Sequence, residues 1–395
     1  MTSRSRLLLG LVLPWGFLLA ACSESAPAPA GGAAPAVTTA APASGPGAPA
    51  VLALGGGRVL AAPVSAANLT VWPILGEAAY DPGEFLSLHE AQERGVVEIR
   101  EGDQESVGRL WIENRGDDPV LVPAGTVVKG GKQDRQLGRD VVILAGDSEA
   151  VEAFCVERGR WSSTRQGVST AGQFASTGMV AVQRVRARAH YAKDQGQVWE
   201  EVSRINRRAV AENSTGTLLG TLEQDDEVLR ARIGHLEQAV RGHFAALGGQ
   251  SVVGFAYAVN GEPLTVRTYA HPRLFQKQFG SFRRTMCLEA ALVQARDIRA
   301  GKPVFDRPAD AEHVARLVAS VSRGEVRTHR IQAHRRDLER RTAEGGNTAC
   351  QLLVADAGAS EERWVTLTED WTSSVDQPTT AAAEVRALGS LGYSE

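Results

Sequence analysis

Short apolar runs separated by turn residues predict β-strands along most of the chain. Residues 151–156 place their side chains alternately on two faces, with Val151, Ala153 and Cys155 on one of them. The pair Asn260 and Gly261, between two apolar runs, predicts a β-hairpin. The predicted strands cover residues 69–74, 96–101, 109–113, 120–122, 127–128, 141–144, 151–157, 252–259, 264–269, 350–355 and 364–368.

Longer segments with apolar residues three and four positions apart predict helices. In residues 195–209, Val198, Val202 and Ile205 fall on one face, and Trp199 flanks it. Similar patterns predict helices at residues 84–94, 227–247, 281–296 and 310–321. Runs of strands interrupted by pairs of helices, without regular strand–helix alternation, predict an α+β fold. We expect mainly antiparallel sheets with several packed helices in a single main domain.

The first residues have the features of a bacterial lipoprotein signal peptide. Arg4 and Arg6 precede an apolar stretch that is too short to span a bilayer comfortably. The stretch ends L-A-A-C, which resembles the lipobox, in which the cysteine receives diacylglycerol. We therefore predict a lipoprotein signal peptide at residues 1–21 and lipidation at Cys22, with an ordinary secretory peptide as the alternative.

The expected location follows from the same segment. Ser23 after the cysteine resembles outer-membrane sorting in Gram-negative bacteria. We therefore expect a lipid-anchored protein of the bacterial cell envelope, at the outer membrane. Its expected partners are the membrane, through the lipid anchor, and either another protein or an anionic small molecule.

Composition divides the rest of the chain into three parts. Residues 22–60, after the lipidated cysteine, are rich in Ala, Pro and Gly and have little to bury, so they are predicted to be a disordered tether. Residues 61–372 are the predicted α+β domain, and residues 373–395 the predicted flexible tail. Inside the domain, residues 162–178 are polar and predict a long loop that is either mobile or functional.

Charge and cysteine content exclude several classes of function. The chain of 395 residues has a formal net charge of −3, which gives no case for a nucleic-acid partner. Its four cysteines are too few for a disulfide-built scaffold, and Cys155, Cys287 and Cys350 permit one disulfide in three alternative pairings. The histidines form no metal-binding pattern and no nucleophile-elbow motif is present. We therefore predict no metal and no cofactor.

A glycine pair, Gly130 and Gly131, lies in the most distinctive stretch of the chain, K-G-G-K-Q-D-R at residues 129–135. The spacing differs from that of a P-loop and lacks its hydroxyl residue. Two interpretations are open. Backbone amides at the bend, with Lys129, Lys132, Arg135 and Arg139, could hold an anion; alternatively, Gln133 and Arg135 pin loops through hydrogen bonds to backbone carbonyls.

The stretch C-V-E-R-G-R-W at residues 155–161 has the same ambiguity. Arg160 is expected to pair with Glu157 and to stack on Trp161, either to orient two loops or to bind a planar, charged ligand. Cys155 is expected to be buried and inert, because no histidine is close in sequence. The candidate ligand-binding residues of both stretches are Lys129, Gly130, Gly131, Lys132, Gln133, Arg135, Glu157, Arg160 and Trp161.

These motifs together resemble one protein family. They are N-L-T-V-W-P at 68–73, G-V-V-E-I-R-E at 95–101, G-G-K-Q-x-R at 130–135, C-V-E-x-G-R-W at 155–161 and Q-V-W-E-E-V at 197–202. The chain resembles the ARG and Rhodanese-Phosphatase-superfamily-associated protein domain family from about residue 68 to 356. The family's name records genomic association with ADP-ribosylglycohydrolases and rhodanese- or phosphatase-like proteins, and the resemblance implies no particular activity. The export signal departs from a purely cytoplasmic ADP-ribose role.

Three functions remain open from the sequence. The first is a lipid-anchored binding or scaffolding domain of unknown activity. The second is an envelope enzyme or binder acting on a phosphate- or ribose-bearing, ADP-ribose-like ligand at the G-G-K-Q-x-R and C-V-E-x-G-R-W motifs. The third is a purely structural envelope protein. The sequence does not decide whether the protein is an enzyme.

Overall fold

The computed structural model describes residues 52–102, 108–165, 167–211, 213–223, 226–248, 250–321, 325–331, 336–342, 347–355 and 364–374. The signal peptide, Cys22 and residues 375–395 of the expected tail lie outside these residues, so the expectations for them stay predictions.

The described residues contain strands β1 (Leu52–Gly55), β2 (Arg58–Leu60), β3 (Val64–Ala66), β4 (Leu69–Leu75), β5 (Leu86–Ser87), β6 (Val97–Glu101), β7 (Arg109–Asn114), β8 (Val120–Val122), β9 (Thr126–Gly130), β10 (Arg135–Leu137), β11 (Val141–Ile143), β12 (Ser148–Cys155), β13 (Thr164–Arg165), β14 (Val168–Ser169), β15 (Phe174–Val180), β16 (Val252–Val259), β17 (Glu262–Tyr269), β18 (Glu325–Ile331), β19 (Arg336–Thr342), β20 (Thr348–Ala355) and β21 (Trp364–Thr372). The helices are α1 (Leu88–Glu93), α2 (Gln183–Ala187), α3 (Gln195–Ala209), α4 (Leu219–Leu222), α5 (Glu227–Ala246), α6 (Pro272–Arg299) and α7 (Ala311–Val321), and a π-helical segment, Arg188–Ala192, follows α2.

Two main sheets organise these elements. The larger has the order β1-β2-β4-β16-β17-β21-β20-β19-β18, with β3 beside β4, and its pairs are antiparallel. The smaller has the order β15-β9-β10-β12-β7-β6, and a short sheet, β11-β8-β5, lies near it. Among the described strand pairs, β5–β8 is the parallel one. The predicted α+β fold with mainly antiparallel sheets is therefore confirmed.

Helices cover both faces of the larger sheet. On one face, Phe279 and Phe282 of α6 pack against Phe255 of β16, with ring centroids 5.5 Å and 5.4 Å away. On the other face, α7 places Val314 and Leu317 against buried residues of β4 and β21. Burying aromatic and aliphatic side chains in this way is the dominant stabilising term for a sheet–helix layer.

Buried ion pairs connect the larger sheet to α2 and to the segment between β10 and β11. Arg267 of β17 is fully buried and donates to Asp140, which precedes β11, at 2.6 Å. Arg186 of α2 pairs with Asp370 of β21 at 3.2 Å. Burial acts to raise the pKa of Asp140, but Arg267 and the hydroxyl of Thr368 outweigh it and lower that pKa. Both carboxylates are therefore compensated as buried charges require.

Several predicted boundaries differ from the structure. Helix α3 begins and ends where predicted, whereas α6 begins nine residues before the predicted 281, because His271 caps its first turn and Pro272 fits its first position. The stretch predicted as a loop contains β13, β14 and the first residues of β15, because β13 pairs with β14 and β15 pairs with the distant β9. Strands β1 and β2 lie within residues 22–60, so the end of the range assigned to the tether belongs to the larger sheet.

The hairpin at Asn260 and Gly261 is confirmed. The two residues have φ values of +51° and +83°, and β16 and β17 pair on either side of them. Positive φ at both central positions suits the right-handed twist of a two-residue hairpin.

Candidate functional site

The glycine pair forms a closed turn in which the amides of Gly130, Gly131 and Lys132 are used. The N–H of Gly130 donates to Asp134, that of Gly131 to the carbonyl of Gln173, and that of Lys132 to Glu101. Two of the three acceptors are carboxylates. These three amides are therefore occupied by groups of the protein, which disfavours the anion-nest interpretation.

Glycine is required here by both conformation and space. Gly130 has φ +141° and Gly131 has φ +47°. A Cβ on Gly130 would lie 2.2 Å from the carbonyl oxygen of Gln173, and one on Gly131 would lie 2.1 Å from the ring of Phe174. The turn is thus pressed against the start of β15.

Arg160 fixes this turn from the opposite side. Its guanidinium donates to the carbonyl oxygens of Gly130 at 2.9 Å and Gly131 at 2.6 Å. It also donates to the Glu157 carboxylate at 2.8 Å and to the carbonyl of Ser162 at 2.9 Å. All five N–H donors of an arginine can be used in this arrangement. The expected pairing of Arg160 with Glu157 is present, and it orients two loops.

Asp134 completes this buried group, which we call the motif core (Asp134, Glu157 and Arg160). Its carboxylate accepts from the hydroxyl of Thr217 at 2.7 Å and lies 3.4 Å from Arg160. Burial and the charge of Glu157 raise the pKa of Asp134. Burial acts in the same direction on Glu157, but hydrogen bonds from Arg160 and from the Asp134 amide outweigh it and lower that pKa.

Gln133 and Arg135 extend the motif core differently. The Gln133 amide donates to the carbonyl of Glu157 at 2.9 Å and to that of Arg158 at 3.3 Å, as the pinning interpretation expects. Arg135 instead donates to side chains, at 3.2 Å to Gln133 and 3.0 Å to the Cys155 sulfur. Both residues are almost fully buried, and Arg135 does not reach the open cleft that Gln133 helps to line.

The basic side chains expected beside the turn are directed to separate carboxylates. Lys129 pairs with Glu223 at 3.1 Å, and Arg139 pairs with Glu149 at 3.1 Å. Of the expected cluster, Arg135 lies in the interior. Lys129, Arg135 and Arg139 therefore do not converge on one anion site.

An open cleft lies on the outer side of the motif core. Its volume is about 580 Å³, within the range of small-molecule sites. Trp161, which is 60% exposed, lines it instead of stacking on Arg160. Arg158 lies over the ring of Trp199 at 5.6 Å, a cation–π contact. The cleft is lined by Gly108, Gln133, Glu152, Ala153, Phe154, Cys155, Arg158, Trp161, Lys193, Gln195 and Trp199.

Polar side chains fix one wall of the cleft. Gln195, at the start of α3, accepts from the N–H of Cys155 at 2.8 Å and donates to its carbonyl at 2.9 Å. It thereby pairs with the edge of β12 beyond the end of its pairing with β7. Lys193 forms an ion pair with Glu152 and lies 5.8 Å from the ring of Phe154. The wall is therefore held by contacts within the protein.

Cys155 lies at the floor of the cleft with its side chain buried. Burial raises the pKa of its thiol, and the nearby charge of Arg135 only partly opposes this. Cys155, Cys287 and Cys350 are all free and buried, so none of the three possible disulfides forms among these described residues. Within the described residues, no group of three acidic, histidine or cysteine side chains is arranged to hold a metal ion.

A family model described as the ARG and Rhodanese-Phosphatase-superfamily-associated Protein domain matches residues 58–368. The chain belongs to this family. The match spans most of the 395 residues and both motifs of the site, and it starts ten residues before the resemblance noted in the sequence. No curated protein and no solved structure matches the chain. Among the helices that the structure describes, none combines the length and apolar character needed to cross a bilayer.

In this member of the ARG and Rhodanese-Phosphatase-superfamily-associated Protein domain family, Gln133 and Trp161 are the candidate ligand-binding residues that line the cleft, and the sequence analysis did not assign other parts of the lining. Arg158 is the variable position of C-V-E-x-G-R-W, and Lys193 and Gln195 lie in a separate segment. Trp199 had a signal, since it lies beside the apolar face of the predicted helix rather than within it. Asp134 also went unassigned, although it lies between Gln133 and Arg135.

Proposed function

We propose that the protein is a lipid-anchored binding domain of the cell envelope whose cleft accommodates a small molecule with a planar ring and an anionic group. The observation that carries the proposal is the contrast at the site. The motif core is saturated by internal hydrogen bonds, whereas the adjoining cleft of about 580 Å³ presents Trp161 and Arg158. Residues of the motifs thus contribute to the cleft chiefly by holding its walls.

The aromatic and cationic lining favours this class of ligand. The exposed ring of Trp161 offers a face for stacking, and Arg158 supplies positive charge at the cleft, where the charge of Lys193 is balanced by Glu152. Indole and guanidinium groups recognise planar and anionic groups, respectively. Ribose- and phosphate-bearing molecules such as ADP-ribose combine the two features.

Binding is favoured over catalysis by the state of the reactive groups. The thiol of Cys155 has a raised pKa, which lowers the thiolate fraction that a nucleophile needs. Glu152 is held in an ion pair by Lys193, and histidine is not among the residues that line the cleft. The cleft therefore offers recognition groups without an activated nucleophile.

The test uses ADP-ribose as the probe and tryptophan fluorescence as the signal. We expect saturable quenching by ADP-ribose in the wild-type protein and its loss in Trp161→Ala. Trp111→Ala is the matched control, because Trp111 is 38% exposed on β7 and does not line the cleft. Equal quenching in all three proteins, or none in the wild type, would reject this ligand class.

The anchor is a separate part of the proposal and rests on the signal sequence. If Cys22 carries the lipid, Cys22→Ser leaves an unprocessed precursor or an unanchored protein. We expect labelled palmitate in the wild type and none in the variant. Equal labelling of the two proteins, measured after immunoprecipitation from growing cells, would contradict lipidation at this residue.

A further inference from the structure

A second cluster of arginines lies around one carboxylate, that of Glu201 on α3. Glu201 is buried and accepts from Arg184 at 3.0 Å and from Arg204 at 2.9 Å. Arg188 lies 3.8 Å from the same carboxylate. The guanidinium groups of Arg184 and Arg204 thus share one negative charge, which leaves an excess of positive charge at this surface.

Arg208, one turn beyond Arg204, increases the excess. Its side chain is exposed, and within the described residues its guanidinium forms no hydrogen bond or ion pair. Packing of neighbouring atoms and the charges of Arg184 and Arg204 lower its pKa. Like charges four residues apart on a helix destabilise it, so this arrangement stores repulsion that an anion would relieve.

Glu289 offers the patch little compensation. It is buried behind the patch, and burial raises its pKa to about 7, despite a hydrogen bond from Tyr257 and the charge of Arg186. It is therefore only partly ionised at neutral pH. Arg204 and Arg208 remain at the surface, 45% exposed in the case of the Arg204 side chain.

We propose that the arginine patch (Arg184, Arg204 and Arg208) binds a phosphate-type oxyanion. Guanidinium groups match the geometry of phosphate oxygens and donate paired hydrogen bonds to them. Glu201 holds Arg184 and Arg204 in place from beneath, so their free N–H groups are oriented before the anion arrives. The source of the phosphate group is either a free phosphate compound or a lipid headgroup.

This site is independent of the cleft. Trp199 and Glu201 are two positions apart on α3, and a helix turns by about 200° over that spacing. The cleft and the patch therefore lie on different sides of the same helix, and each can be removed without the other.

The test measures melting temperature as inorganic phosphate is added at constant ionic strength, with chloride as the balancing anion. At ten times the dissociation constant, we expect a rise of about 2–4 °C in the wild type. The double variant Arg204→Ala/Arg208→Ala loses this rise, and its affinity for phosphate falls at least about tenfold. Arg241→Ala, which removes an exposed arginine of α5, keeps the rise.

Two further experiments identify the source of the phosphate group and show whether it binds at the patch or in the cleft. Glycerophosphoglycerol, a soluble diester headgroup, raises the melting temperature if the patch accepts lipid headgroups; a response to inorganic phosphate alone assigns the site to free phosphate compounds. Arg158→Ala keeps the phosphate response because it alters only the cleft. An unchanged response in the double variant, no response in the wild type, or a response lost in Arg158→Ala would overturn the proposal.

Discussion

Arg158 and Arg160 are separated by one glycine, yet they lie in regions that differ in how completely polar groups are paired. Arg160, 7% exposed, donates to two turn carbonyls and to Glu157 in the motif core. Arg158 is exposed at the cleft and contacts the ring of Trp199. The difference shows that a distinctive motif can consist of supporting residues, with recognition assigned to its less distinctive neighbours.

Arg160→Ala is expected to cause the largest loss of stability, because it removes the centre of the motif core. The variant strands the buried carboxylates of Glu157 and Asp134 and the carbonyls of the glycine turn. Removing one partner of a buried ion pair costs about 3–5 kcal/mol of unfolding free energy. Denaturant unfolding followed by circular dichroism measures this loss.

Arg158→Ala is the matched control for Arg160→Ala. Because Arg158 is exposed, we expect a change within about 0.5 kcal/mol. Binding of ADP-ribose, in contrast, weakens in the Arg158 variant. Similar losses of stability in the two variants would show that the cleft and the motif core are one structural unit.

Glu289 is a buried carboxylate whose negative charge has fewer stabilising partners than that of Glu157, so it extends the comparison between paired and unpaired groups. Its hydrogen-bond partners are the Tyr257 hydroxyl and the amide of Gln183, and Arg184 and Arg186 act on it only through their charges. Burial raises its pKa from 4.5 to about 7. Between these values the folded state holds a proton that the unfolded state has lost, so stability falls as pH rises from about 4.5 to 7 and is flat above.

Glu289→Gln removes this pH dependence. A shift of this size corresponds to about 3 kcal/mol over the whole window. We therefore expect the stability of the variant, relative to that of the wild type, to be greater at pH 8 than at pH 5. Urea unfolding at the two pH values gives the difference, and parallel pH profiles for the two proteins would contradict the raised pKa.

The helices and strands were easier to predict from the sequence than the candidate site. Local sequence patterns determine the helices and strands, whereas long-range contacts determine the site. Helix α3 and the Asn260–Gly261 hairpin follow from spacing and turn chemistry, and both are present. The closure of the glycine turn depends on Gln173, some forty residues away, and on the pairing of β15 with β9. No local periodicity reveals that the turn amides are already occupied.

Charge pairing was equally hidden from the sequence. Lys129 and Arg135 are close in the chain, but one reaches Glu223 and the other enters the interior. A cluster of cations in sequence therefore became separate pairs in space. The cation excess that the structure does contain, at Arg204 and Arg208, has only a four-residue spacing as its sequence signal.

Cys155 lies between the two regions, and its substitution tests where one ends and the other begins. Its sulfur accepts a hydrogen bond at 3.0 Å from Arg135, which extends the motif core. Cys155 also lines the cleft. In Cys155→Ala, Arg135 keeps its hydrogen bond to Gln133, so we expect a loss of only about 1 kcal/mol. We also expect ADP-ribose quenching to be unchanged, because the buried thiol supports the cleft floor without contacting the ligand. Quenching and urea unfolding measured on the same preparation separate the two effects. A variant of unchanged stability that no longer binds ADP-ribose would instead place the thiol in the binding surface.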